Sequence, residues 1–342
     1  MPKGLSPRMR RRVRSSLVSV LLCGPAVCLY VGFVILPAAL GFTYSLTDWN
    51  GWASGGTAAD LGRAVTHLLR LAPGEARAAF ERFLGARFIG LANYRELFGT
   101  STFLDASSFG GFRESVVGFT LLETVLIVVA FTFGALVLAV LLDRLRHLKG
   151  LIRGLFFYPY ILSVLVSGLL FMYLANRRAG AINRILASLG LESWQQNWMM
   201  GPDFAPYFIF ALVAWSGMGF FTTLYLANLQ TIPTDLYEAA RIDGAGPLAI
   251  LRHIQFPMLM PTVTTNSVLA LILGINLFPQ IVVTTGGGPG TQTHTIGFYV
   301  YRLGWTDNRL ALASAVSFVA FAALVVVAAI QVALLRRRQV SL

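Results

Sequence analysis

Six stretches of this chain run on for about twenty residues or more with almost no charge, which leaves few folds open. They cover residues 17–42, 120–142, 155–174, 207–229, 262–283 and 310–335. A helix rises 1.5 Å per residue, so each is long enough to cross a hydrocarbon core of about 30 Å. Barrel strands are shorter and alternate in polarity, so continuous apolar runs argue for helices. A soluble fold of 342 residues would need charge to cover its surface, yet only 12% of residues are charged and 56% are hydrophobic. Soluble domains carry about 25% charge. The expected fold is an all-α integral membrane protein with six transmembrane helices.

The net charge of +12 raises nucleic acid as a partner. Such a domain, however, gathers Lys and Arg on one soluble face. Here they flank the apolar runs, as positive-inside anchors do, so the expected partner is the lipid bilayer and not nucleic acid. Basic residues crowd the head (Arg8, Arg10, Arg11, Arg12, Arg14), the 143–153 loop (Arg144, Arg146, Lys149, Arg153), the 230–261 loop (Arg241, Arg252) and the tail (Arg336, Arg337, Arg338). The positive-inside rule makes that side cytoplasmic, with both termini inside. A basic n-region before an apolar run also describes a secretory signal. This run is too long for one and no small-residue cleavage site closes it, so it is expected to remain as the first helix. Cys23 and Cys28 share that segment and offer neither a disulfide framework nor metal-ligand spacing.

The organisation expected is a basic head (1–16) and a single transmembrane domain (17–342). That domain is expected to carry an external insertion at about 47–115 and a cytoplasmic loop at about 230–261. Within the insertion, 58–70 and 74–83 have helical apolar spacing with alternating charge, which predicts a small helical cap.

The loop between the fourth and fifth runs is the most informative segment. Thr234 or Asp235 can cap a helix N-terminus, and Asp235 with Glu238 fits a capping box. Ala239 and Ala240 leave one face open to close approach. Asp243-Gly244 signals a turn that ends the helix, followed by Ala245. A second short helix can begin at Pro247 and is expected to end before Pro257, with Ile254 among its apolar anchors. The product is a helix–turn–helix knob suited to a groove on a cytoplasmic partner. A helix resting on lipid headgroups is the alternative, although it would want Lys and Arg on its polar face.

The run Glu238-Ala239-Ala240, Asp243-Gly244-Ala245, Ile254 and Phe256-Pro257 closely resembles the EAA loop of permease subunits in binding-protein-dependent ABC importers. Ser45-Leu-Thr-Asp-Trp49, Phe88-Ile-Gly-Leu-Ala-Asn-Tyr94, Thr285-Gly-Gly-Gly-Pro289 and Tyr299-Val-Tyr301 look like its carbohydrate branch. The stretch between Asn50 and Arg87 is inserted relative to the compact family pattern. Phe278-Pro279-Gln280 stands where many relatives show Phe-Asp. The resemblance implies a multi-pass protein of the bacterial cytoplasmic membrane that imports a di- or oligosaccharide by alternating access. It implies a second homologous permease, two ATPase subunits and an extracytoplasmic sugar-binding protein as partners. Glu238, Ala239, Ala240, Asp243, Gly244, Ala245, Ile254 and Pro257 would carry coupling, with ATP and Mg held by the ATPases and no cofactor on this chain. Importers of a polyol phosphate such as glycerol 3-phosphate lie in the same range, and a self-sufficient secondary transporter is the alternative of another class.

Enzyme signatures are missing: no Walker loop, no His-Glu-x-x-His and no Gly-x-Ser-x-Gly occurs. No catalytic residue is therefore expected, and the glycines at 286–290 are expected to form a tight turn. His67, His147, His253 and His294 are expected as solvated loop residues. A sugar path needs hydroxyls, amides and aromatic faces, and the candidates by depth are Tyr160, Ser163, Ser167, Trp215, Ser216, Tyr225, Asn266, Asn276 and Gln280. Asn276 and Gln280, four residues apart, are expected to share a helix face. Glu123, an ionisable group at membrane depth, is a further functional candidate unless it reaches the headgroups.

Overall fold

In hydrocarbon the backbone has to satisfy its own N–H and C=O groups, and the apolar runs do so as helices. The computed structural model describes residues 23–51, 60, 62–63, 66, 73–104, 115–145, 149–201 and 203–336. The basic head, most of the expected 58–70 helix, His67, Arg146, His147, Arg337 and Arg338 lie outside them. In chain order the helices are α1 (Cys23–Ser45), α2 (Pro73–Leu84), α3 (Ala92–Gly99), α4 (Val116–Asp143), α5 (Lys149–Ile161), α6 (Val164–Ala175) and α7 (Ala181–Ser188). They continue with α8 (Ala205–Leu229), α9 (Thr234–Ile242), α10 (Pro247–Met258), α11 (Met260–Ile275), α12 (Pro279–Val283), α13 (Ile296–Tyr301) and α14 (Leu310–Arg336). No strand occurs among the described residues, only an isolated antiparallel bridge between Thr47 and Phe88.

Among the described residues, α1, α4, α8 and α14 are each long and apolar enough to cross a membrane unbroken. The third and fifth expected spans are not single helices. The third bends by 98° between α5 and α6. Pro159 lies inside α5 without an N–H to give, and α5 ends two residues later. Ser163 then starts α6 as its N-cap, its Oγ accepting from the Val166 N–H at 3.3 Å. The fifth span is interrupted at Asn276–Phe278, because Pro279 at the first position of α12 cannot continue the ladder of α11. The 16 residues of α11 reach only about 24 Å. A second bend, of 69°, separates α10 from α11. If each bent pair counts as one crossing, the crossings number up to six.

The described residues group into two compact units. One holds α1, α2 and the chain to Tyr94, together with Asp307–Ala315. Within it, Asp48 N–H donates to the Arg87 carbonyl at 3.1 Å and Ile89 N–H to the Leu46 carbonyl at 2.9 Å. The buried Asn93 amide donates to the carbonyls of Ser45 and Thr47, both at 2.8 Å. Two sequence segments far apart in the chain, 45–49 and 88–94, are thereby one structural piece. Glu81 Oε1 accepts from the Phe88 N–H at 2.9 Å and from Arg77 Nε at 3.0 Å, and these bonds hold its carboxyl below the usual range.

The other unit runs over Arg95–Thr306 and the chain from Val316. Its core lies where α4, α8 and α11 meet, with Phe119, Ile127, Phe131, Ile209, Phe221 and Val263 buried. Lipid is as apolar as these side chains, so close packing rather than water release holds such helices together. The rings of Phe131 and Phe221 stack at 4.2 Å. Small residues permit the approach: Gly217 lies under the Phe131 ring and Gly274 against Thr124. A Cβ at Gly219 would collide with the backbone of Phe156 and Phe157.

Candidate functional site

The segment 232–258 folds as two short helices around a tight turn. Pro233, not Thr234 or Asp235, occupies the N-cap of α9, and no side chain caps it. The expected capping box is absent because Pro233 places Thr234 and Asp235 inside the first turn. There Asp235 still faces the positive end of the helix dipole. The other end follows the sequence closely. Gly244 takes φ +75°; Gly244 N–H bonds the Arg241 carbonyl at 3.1 Å and Ala245 N–H the Ala240 carbonyl at 2.8 Å. Those two bonds form a Schellman cap, which needs the left-handed residue glycine supplies. Pro247 opens α10 as expected. The helix does not stop before Pro257, however. A wide π turn at Leu251–Gln255 carries the chain through Pro257 to Met258. That widened turn accommodates a proline with no N–H to offer.

The residues of the segment divide by direction. Glu238, Ala239, Asp243 and Gly244 are exposed. Ile254 packs against the core together with Tyr237, Leu251 and Phe256. Gln255 Nε2 lies 3.4 Å from the Tyr237 hydroxyl and braces the two helices at their base. Two residues not singled out from sequence project furthest: Ile242 is 86% exposed and Leu248 75%. Their signal was available, since each is a large aliphatic residue within four positions of the Gly244 turn.

The path candidates do not converge on one surface. Tyr160 is exposed and stacks on Phe220 at 4.7 Å; Trp215 leans on Phe171 at 5.4 Å. Ser163 is a helix cap. Ser216 is half-buried and returns its hydroxyl to the Leu212 carbonyl at 2.9 Å. Tyr225 is fully buried and donates to the Thr132 carbonyl at 2.9 Å. Asn266 is buried as well, its Nδ2 giving 3.2 Å to the Phe221 carbonyl. The break after α11 overturns the shared helix face of Asn276 and Gln280. Asn276 closes α11 by bonding the Ile272 carbonyl at 2.9 Å and lines a cleft of about 420 Å³ with Phe278 and Phe321. Gln280 sits beyond the break on α12 with a buried, unpartnered Oε1. Ser167 is buried too, and its hydroxyl has no partner.

The 284–295 loop is a tight turn, as expected. Gly286, Gly287 and Gly290 all have positive φ. Thr293 Oγ1 lies 2.8 Å from Thr285 Oγ1 and 2.8 Å from the Gly288 carbonyl. His294 is not solvated: it is buried against the Phe298 ring at 4.9 Å. Burial, then the nearby Arg302 guanidinium, pushes its imidazole down to about 4. His253 stays exposed, its Nδ1 3.0 Å from the Ala249 carbonyl. Glu123 does not reach the protein surface. It is fully buried on α4, and both carboxyl oxygens lack a hydrogen-bond partner. A cleft of about 640 Å³ is lined by Arg177, Arg178, Asn176, Asn197 and Thr284.

Residues 130–340 match the family described as "Binding-protein-dependent transport system inner membrane component". The probable ABC transporter permease protein YurN of Bacillus subtilis is 32% identical over 68% of this chain and 77% of its own. The multiple sugar-binding transport system permease protein MsmF of Streptococcus mutans is 30% identical over 74% of this chain and 83% of its own. A crystal structure of a bacterial alginate ABC transporter, in complex with an alginate pentasaccharide-bound periplasmic protein, contains a chain of the same fold. Its TM-score is 0.73 at 18% identity, covering 96% of this chain and 98% of that one. With α8, α14 and the second half of α4 inside the matched region, each of these helices long and apolar enough to cross a membrane, the chain belongs to the binding-protein-dependent inner-membrane components, as a permease subunit of an ABC transporter.

Proposed function

We propose that this subunit forms one half of an import path for a di- or oligosaccharide, working by alternating access against a second, homologous permease. Two cytoplasmic ATPases bind and hydrolyse ATP with Mg and press on the α9–α10 segment, and an extracytoplasmic binding protein delivers the sugar. The observation that carries this reading is the exposed tip of that segment. Glu238, Ile242 and Leu248 face outward while Tyr237, Leu251 and Ile254 root the same helices in the core. A rigid lever with an apolar, acid-bearing tip transmits force from a docked subunit to α11, which α10 meets at the 69° bend. The sugar class draws on MsmF and on the alginate transporter, and the exposed rings of Tyr160 and Trp215 supply faces that stack on sugar C–H surfaces.

Glu238→Lys tests the coupling. The reading expects normal membrane insertion, loss of labelled saccharide uptake, and ATP hydrolysis that no longer responds to the loaded binding protein. Unchanged uptake would sink it.

Two observations favour other cargo or coupling. Arg177 and Arg178 line a cleft with no acid in its wall, as a polyol phosphate such as glycerol 3-phosphate would need. Inhibition of saccharide uptake by that phosphate, lost in Arg177→Gln/Arg178→Gln, would select it. The buried, unpartnered Glu123 is what a self-sufficient carrier would use for proton coupling. Uptake into liposomes without ATP would select that instead.

A further inference from the structure

The end of α4 and the helix α10 enclose a groove of about 550 Å³, which shares Leu248 and Leu251 with the coupling lever but whose α4 wall and arginines the coupling reading leaves unused. Val137, Val140 and Leu141 of α4 form one wall and Leu248, Leu251 and Phe256 of α10 the other. Two guanidinium groups line it as well, Arg144 just past the last turn of α4 and Arg252 on the π turn of α10, and no lining residue is acidic.

The groove also continues an exposed apolar stripe on α4. Val125, Val129, Phe133, Val137 and Leu141 recur every fourth residue along α4, and each is more than half exposed. The last two of them enter the groove. An apolar trough that opens from an exposed apolar stripe and ends at two arginines matches one molecule in both its halves. The trough takes an acyl chain, and the arginines take a phosphate diester by paired charge-assisted bonds. Basic pockets between helices at the cytoplasmic surface are where anionic headgroups bind.

We propose that this groove is a binding site for an anionic phospholipid, its acyl chain along Val137 and Leu141 and its phosphate between Arg144 and Arg252. With the 230–261 loop inward, as the positive-inside rule expects, the cytoplasmic leaflet supplies it. A lipid held there touches both α4 and the helix that follows the coupling turn, so it would tie the motion of one to the other.

The test uses the full-length protein, purified with whatever subunits accompany it, in nanodiscs of phosphatidylglycerol and phosphatidylcholine in equal amounts. Lipid retained through delipidation is counted by native mass spectrometry. Phosphatidylglycerol should be retained over phosphatidylcholine by roughly tenfold, and Arg144→Gln/Arg252→Gln should abolish the preference. Val137→Trp keeps both arginines but fills the trough, and it should lower phosphatidylglycerol retention to the level of the double variant. It decides the matter if the double variant does not insert. Equal retention of both lipids by the wild type overturns the proposal, as does a preference unchanged in both variants. High-yield crosslinking of Leu141→Cys to a protein subunit in native membranes overturns it too, by showing that protein covers the groove.

Discussion

The hydroxyl of Tyr225 on α8 donates a 2.9 Å hydrogen bond to the carbonyl of Thr132, inside the π turn at Ala130–Gly134 of α4. Tyr225 is fully buried, so the bond is a lock between two spanning helices and not a contact waiting for substrate. Tyr225→Phe keeps the ring and removes the donor. It should cost about 1–3 kcal/mol, read as a lower unfolding temperature in detergent, with transport per folded molecule preserved. Loss of transport at unchanged stability would return Tyr225 to the substrate path.

Gly244 carries the Schellman cap at φ +75°. Gly244→Val puts a β-branched residue in the left-handed region, at a cost of about 1–2 kcal/mol, and should splay α9 from α10. Gly244→Asn tolerates that conformation better. Uptake with the coupled ATPase response should therefore fall in the order Gly, Asn, Val, while unfolding temperatures stay close because the turn is exposed. Equal uptake in all three would mean that the turn geometry is not used.

Asn93 joins segments 45–49 and 88–94 through two 2.8 Å bonds. Asn93→Ala leaves the Ser45 and Thr47 carbonyls without their donor and should weaken that contact by about 1–3 kcal/mol. Hydrogen exchange at Asp48 and Ile89, whose amides bond across the same junction, should quicken while exchange in α8 does not change. Unaltered protection at both amides would show that the bridge stands without Asn93.

His294 lies outside the spanning helices, and burial with Arg302 nearby lowers its pKa from 6.5 to about 4. Unfolded chains take up that proton near 6.5, whereas the folded protein does so only near 4. Between the two the unfolded state binds more protons, so stability is complete above 6.5 and falls as pH drops towards 4. The loss is on the order of 1–3 kcal/mol across that window. His294→Gln should flatten this part of a pH–stability curve measured in detergent. A wild-type curve already flat between pH 6.5 and 4 would show that His294 is not the buried neutral group described.

Much of the α9–α10 segment was legible in the chain because its signals are local. Gly244 after Asp243 and Pro247 at a helix start are dictated by φ preference and by a missing N–H, which act within a few residues. The capping box failed on the same local scale: Pro233 took the cap position, and Thr234 and Asp235 moved inside the helix. The faces of the path candidates were not legible in the same way. Depth along a helix says nothing of the face a side chain takes, and Ser216 and Tyr225 turned out to be satisfied by backbone carbonyls of the protein itself.

The sequence alone determined that the chain is helical and membrane-crossing, because run length and charge placement set the cost of backbone and side chains in hydrocarbon. Only the tertiary structure decided where the third and fifth runs break. Pro159 and Pro279 remove backbone donors in any context, but a bend of 98° persists only where neighbouring helices and a cap such as Ser163 meet the freed groups. It also decided that Glu123 and His294 are buried and that Ile242 and Leu248 are exposed. Burial depends on which helix packs on which, and here residues distant in sequence settle it: Gly274 lets α11 approach α4 at Thr124, one residue from Glu123.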